Sequence, residues 1–118
     1  MAGLESQNFD SPDETRSFAN GEMAVITLGD ATVGRAVFRP GWKWSESVKP
    51  IAGTESCEAA HFGYVVSGRM HVQMDDGDGL DMAPGDLINI APGHDGWVLG
   101  NEPCVVIDFE GASNYAKR

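Results

Sequence analysis

His61-Phe62-Gly63-Tyr64-Val65-Val66-Ser67-Gly68-Arg69-Met70-His71-Val72-Gln73-Met74 alternates as two short strands hinged at Gly68, and Asp75-Asp76-Gly77-Asp78-Gly79 follows as a turn. Aspartate and glycine tolerate the backbone angles of a tight hairpin, which is why such a cluster punctuates two strands. The chain resumes as Leu80-Asp81-Met82-Ala83-Pro84-Gly85-Asp86-Leu87-Ile88-Asn89-Ile90-Ala91-Pro92-Gly93-His94, with a Pro-Gly corner at either end of one strand. Residues 59–98 thus read as two strand pairs about an acidic turn, with His61 in one half and His94 in the other. The rest of the chain reads as walls for this unit.

At 118 residues the chain is one domain, long enough to bury roughly two-thirds of its unfolded surface. Its 15 glycines, 6 prolines and 42% hydrophobic residues favour many short strands over long helices. Eight basic residues against 18 acidic ones give a formal charge of −10, which repels nucleic-acid phosphate and anionic membranes; neither is an expected partner. No apolar run approaches the ~20 residues of a membrane span, and residues 1–10 contain no basic stretch leading into an apolar core. A cytoplasmic protein is expected. Cys57 and Cys104 lack CxxC spacing, and reduced thiols are expected.

Residues 1–22 read as a polar arm, in which Ser11-Pro12-Asp13-Glu14 has the capping pattern of one helical turn. Met23 to Leu28 and Ala31 to Arg39 read as a hairpin turned at Gly29-Asp30. After Pro40-Gly41, the alternation of Trp42-Lys43-Trp44-Ser45-Glu46-Ser47-Val48-Lys49 predicts a strand with both tryptophans on one face. Residues 50–58 read as a loop, Asp95 to Leu99 and Cys104 to Phe109 as the closing strands. This divides the chain into an arm (1–22), a barrel (23–110) and a tail (111–118). Roughly eight or nine short strands with Gly/Pro turns are the signature of an all-β sandwich or barrel.

The order Pro40-Gly41, His61 with Gly68 seven residues on, Pro84-Gly85-Asp86 and Pro92-Gly93-His94 resembles the two motifs of the cupin superfamily. Gly41-Trp42-Lys43-Trp44-Ser45, Lys49-Pro50, Cys57 and Gly93-His94-Asp95-Gly96-Trp97-Val98 resemble a group of small single-domain bacterial cupins. The resemblance implies a double-stranded β-helix, or jelly-roll, barrel. Cupin enzymes commonly hold a divalent metal with two histidines and a glutamate of the first motif and a histidine of the second. Anchored on Gly41, the first motif places Ser47 and Lys49 in the two histidine slots and His61 in the glutamate slot, with His94 near the fourth. A shorter spacer instead places Glu55 and Cys57 in those slots, giving Glu55, Cys57, His61 and His94, which Zn²⁺ accepts. The first alignment uses the Pro-Gly corner and the tryptophan segment and is preferred. Neither is the usual three-histidine, one-glutamate site, so a typical iron or manganese dioxygenase is not expected.

Two function classes remain open. In one, the barrel binds a small, partly apolar ligand in a pocket lined by His61, His94, Lys49, Ser47, Trp44, Tyr64 and Trp97. In the other it is an isomerase, lyase, cyclase or hydrolase in which His61 and His94 act as acid and base, or as ligands to Zn, Fe, Mn or Ni. His71, between Met70 and Val72, belongs on the outer strand face. The resemblance also implies a homodimer, and Met23 to Leu28 is the apolar edge expected to pair or pack across its two-fold axis.

Overall fold

The computed structural model describes residues 3–113 and 115–117. They form nine strands, β1 (Glu14–Phe18), β2 (Gly21–Leu28), β3 (Ala31–Phe38), β4 (His61–Ser67), β5 (Arg69–Met74), β6 (Gly79–Met82), β7 (Leu87–Ile90), β8 (His94–Leu99) and β9 (Cys104–Asp108). A six-stranded sheet runs β1-β2-β3-β9-β4-β7 and a three-stranded sheet runs β6-β5-β8, with every pairing antiparallel. The architecture is an all-β jelly-roll barrel. No helix among the described residues is long and apolar enough to cross a membrane.

Alternation sends Met23, Val25, Ala36, Phe38, Val65, Val106, Met70, Val72, Met82, Ile88 and Ile90 into the space between the sheets. Gly68, at φ 75°, carries the chain from β4 in the large sheet to β5 in the small one. A Cβ there would lie 2.5 Å from Cys104 Cα, so only glycine lets the hinge press against β9. β9 pairs with both β3 and β4, and Asp108 lies opposite Gly34 on one side and Gly63 on the other.

Three local expectations are corrected. Residues 42–49 do not form a strand: α1 (Trp44–Ser47) and α2 (Lys49–Ala52) are short helices, closed by Gly53 in the left-handed region. Trp44, Ser47, Val48 and Ile51 recur at helical spacing, and all four turn inward to some degree. That period overrides the strand alternation of the tryptophans. Ser11 to Glu14 forms no helical turn either. Asp13 N–H donates to Val25 O at 3.0 Å and β1 pairs with β2, so ladder bonds replace a costly helix nucleus. Because β1 covers β2, Met23 to Leu28 is an interior strand and cannot serve as the sheet edge.

Gly111–Ser113 fold back against the barrel as a 3₁₀ turn, and Ala112, Tyr115 and Ala116 are buried. Arg16 of β1 holds them there. Its buried guanidinium donates to Ala112 O at 2.5 Å and Tyr115 O at 2.8 Å, while Glu14 anchors its other edge at 2.9 Å. Arg16→Met leaves those carbonyls without a donor and is expected to lower stability in urea unfolding by about 2–4 kcal/mol. Arg39→Met, which removes only the exposed pair with Glu22, is expected to cost about 0–1 kcal/mol in the same assay.

Candidate functional site

Four inward side chains meet at one end of the barrel. His61 opens β4, where pairing with Ile90 places it on the inner face with Gly63 and Val65. His94 opens β8 directly after the Pro92-Gly93 corner and is buried. Cys57 reaches it from the loop after α2: Cys57 N–H donates to His94 O, and Gly93 N–H to Cys57 O, both at 2.8 Å. Asp108 ends β9, inward like Cys104 and Val106.

The hydrogen bonds fix how each group faces. His61 Nδ1–H donates to Asp108 Oδ2 at 2.6 Å, which leaves Nε2 toward Cys57 Sγ, 3.7 Å away. His94 Nδ1–H donates to Ala91 O at 2.8 Å, leaving its Nε2 to interact with Cys57 as well. The second Asp108 oxygen accepts Glu110 N–H at 3.0 Å and Gly111 N–H at 2.9 Å. A Cβ on Gly111 would lie 2.6 Å from His61 Nδ1, so this close turn also requires glycine. Tyr115 stands edge-on to His61, with ring centroids 5.5 Å apart.

Electrostatics separate the two cysteines. Burial pushes the Cys57 thiol up, but hydrogen bonds to His61 and His94 and their charges outweigh it and bring its pKa down from 9.0 to about 7. Burial alone pushes the Cys104 thiol up to about 11. Burial pulls His61 down, yet its bonds to Asp108 and Cys57 and their charges raise it to about 9. Burial likewise opposes ionisation of Asp108, while His61 and the two amides hold its carboxyl below the usual range. Cys57 is therefore the more acidic thiol, and Cys104 packs in the core.

The donor chemistry fits a transition metal. The ligand atoms of Cys57, His61 and His94 all lie within 4.8 Å of one another. A tetrahedral Zn²⁺ site would space sulfur and nitrogen about 3.6 Å apart, close to the 3.7 Å between Cys57 and His61. Both imidazoles commit Nδ1 to an acceptor, as ligating histidines do. Three protein donors leave a fourth position open, and both histidines line a cavity in the barrel interior.

The other residues expected at the site are dispersed, apart from Trp44, which lines the cavity. Glu55 is exposed in the loop after α2 and pairs with Lys49 of α2 at 3.0 Å; neither lines the cavity. Ser47 is buried in α1 but does not line the cavity. Tyr64, three residues from His61, faces out on the opposite side of β4. Trp97 stacks outside the barrel between Lys43 Nζ, 5.2 Å from its ring, and the ring of His71, at 4.7 Å. Sequence reasoning missed Asp108, although a lone carboxylate at an inward position of Cys104-Val105-Val106-Ile107-Asp108 was the available signal. Tyr115 carried no such signal.

In metal-free protein, thiolate absorbance at 240 nm is expected to rise through a midpoint near pH 7, well below the ordinary 9.0. His61→Ala is expected to move that midpoint upward, since it removes a favourable charge and leaves the burial in place.

No family model matches the chain, and no curated protein matches it closely. Solved structures do. The polyketide cyclase RemF from Streptomyces resistomycificus aligns with a TM-score of 0.64 at 16% identity, over 92% of this chain and 80% of that one. The oxalate decarboxylase formate complex from Lactobacillus farciminis aligns at 0.61 and 18% identity, over 93% of this chain but only 35% of that one. A cupin-like protein of Thermotoga maritima, TM1010, aligns at 0.56 and 18% identity, over 80% and 71%. At such identities the likeness is one of fold, and it agrees with the motif order and the barrel: the chain has a cupin-type fold.

Proposed function

We propose that the protein binds a small molecule inside the barrel, beside one divalent metal ion held by Cys57 Sγ, His61 Nε2 and His94 Nε2. The convergence of these three atoms, with each histidine's other nitrogen already committed, carries this reading. A thiolate with two imidazoles suits Zn²⁺ better than Fe, Mn or Ni. Bound there, such an ion supplies Lewis acidity to an oxygen of water or ligand. The chain's own residues do the rest. Asp108 fixes the His61 tautomer, Ala91 O fixes that of His94, and the apolar walls exclude water. The three named neighbours include a decarboxylase and a cyclase, which is in keeping with an enzyme rather than a passive carrier.

A second reading rests on Cys57, His61 and Asp108 lying in line, with the sulfur 3.7 Å and the carboxylate 2.6 Å from opposite nitrogens. Without metal, that arrangement makes Cys57 a nucleophile and His61 its acid/base partner. Plasma mass spectrometry on untagged protein prepared without chelator separates the two. About one metal per chain is expected, lost in Cys57→Ser, His61→Ala and His94→Ala and retained in Glu55→Ala. Asp108→Asn is expected to weaken metal binding roughly 10- to 100-fold. Metal-free wild type after attempted loading with Zn²⁺, Fe²⁺, Mn²⁺ and Ni²⁺ would leave the thiolate reading.

We also infer a homodimer, with a second copy covering the outer face of β4 and β7. Phe62, Tyr64, Val66 and Leu87 are exposed there beside Phe109, and Asn89 is the only other outward residue on those strands between 61 and 90 that the pairing brings next to them. No carboxylate lies among these positions, although Asp86 and Glu110 flank them, so two chains of charge −10 can meet here without like charges in the middle of the contact. Light scattering after size exclusion should give a dimer mass for wild type and a monomer mass for Tyr64→Glu/Leu87→Glu. A monomeric wild type at high concentration would refute it.

A further inference from the structure

A second hollow lies back to back with the interior cavity. It is an open groove of about 500 Å³, against about 60 Å³ inside the barrel, and falls within the ~300–1,000 Å³ of small-molecule sites. Trp44 and Tyr115 line both spaces and so stand between them. Gly53, at φ 74°, ends α2 and turns the chain into residues 54–60. Ile51 and Ala52 before that turn, and Ala59 and Ala60 after it, give the groove an apolar lining, and none of the four is fully buried.

The charges of the groove have one prevailing sign. Glu58 and Glu110 are exposed lining residues, and neither has an ion-pair partner among the described residues. Lys117 is the cation of the lining, but it is shared with a carboxylate elsewhere: the hydrogen bond from Arg16, and after it the charges of Arg16 and Lys117, hold Glu14 below its usual range. The Thr54 hydroxyl is no donor for an anion either, since it already donates to Ser56 O at 2.7 Å. Two carboxylates against one shared ammonium leave the groove negative, on a chain of net charge −10. An exposed charge is felt over about 8–10 Å at ordinary salt, so it acts across the groove without one fixed contact.

We propose that this groove is a second binding site, for an organic cation whose ammonium group is drawn to Glu58 and Glu110 and whose apolar body lies against Ile51, Ala52, Ala59 and Ala60. The inference goes beyond the proposed function, since it needs neither the metal nor a ligand inside the barrel. Tyr115, edge-on to His61 at 5.5 Å, is the side chain through which the two spaces adjoin.

The probes are 4-phenylbutylammonium, 4-phenylbutanol and 4-phenylbutyrate, which share one body and differ in the charge of the head. Each is titrated into metal-free and into zinc-loaded protein and read by the amide ¹H–¹⁵N signals of Ala52, Thr54, Ala59 and Ala60. Saturable movement is expected, with the ammonium bound about three- to tenfold tighter than the alcohol and the carboxylate weakest. Glu58→Gln/Glu110→Gln should bring ammonium and alcohol to equal affinity, and added salt should narrow the difference in wild type. Ala52→Trp, at an exposed helix position, fills the groove and should abolish binding of all three with zinc content unchanged; Ala52→Leu should weaken it if the tryptophan variant misfolds. Signals that stay still with every probe, equal affinity for ammonium and carboxylate, an ammonium preference that survives the double glutamine variant, or binding indifferent to the Ala52 variants would overturn the proposal. Zinc retained beside a silent groove would sink this inference and leave the metal reading standing; a responsive groove on protein that takes up no metal would do the reverse.

Discussion

A carboxylate buried in the middle of a six-stranded sheet is the constraint around which this barrel is arranged. Asp108 stays charged only because His61 and the amides of Glu110 and Gly111 surround it. The bond to His61 sets that imidazole's tautomer, and the tautomer turns Nε2 toward Cys57. The two amides require a tight turn directly after β9, hence a glycine at 111, and that turn starts the segment that Arg16 then clasps. Site geometry and the docking of both flanks of the barrel therefore share one origin.

The strands were legible in the chain wherever alternation ran between unambiguous turn residues. The β2–β3 hairpin, the hinge at Gly68 and the strand between the two Pro-Gly corners all form as their local chemistry demands. Residues 42–51 were misread because Trp42 and Trp44 satisfy period two while Trp44, Ser47, Val48 and Ile51 satisfy period 3.6. Only the depth of the interior decides between them. Residues 111–117 look polar and short in isolation. Arg16, almost a hundred positions earlier in the chain, holds Ala112 and Tyr115, and no local pattern encodes a partner at that distance.

The site was half legible. His61 and His94 stand where the Gly- and Pro-Gly-anchored motifs put them. Of the two alignments, the short-spacer one named Cys57, which does join the histidines, and Glu55, which does not. The Gly41-anchored one named Ser47 and Lys49, and helix formation carried both off the barrel face. Spacing alone cannot register a strand that has become a helix, since each turn of helix advances the chain by far less than the same residues extended. Asp108 was hidden for a different reason, because its role depends on β9 lying beside β4, a neighbour distant in sequence.

That insertion of β9 between β3 and β4 also orders events during synthesis. Until residues 104–108 have emerged, β3 and β4 have no common neighbour, and the large sheet exists only as a β1-β2-β3 meander and a separate β4-β7 pair. The barrel closes by a long-range step rather than by accretion from the N-terminal side, the kind of step that slows folding. In the interval the growing chain exposes the unpaired edges of β3 and β4, so partial chains present adhesive edges rather than a half-built site.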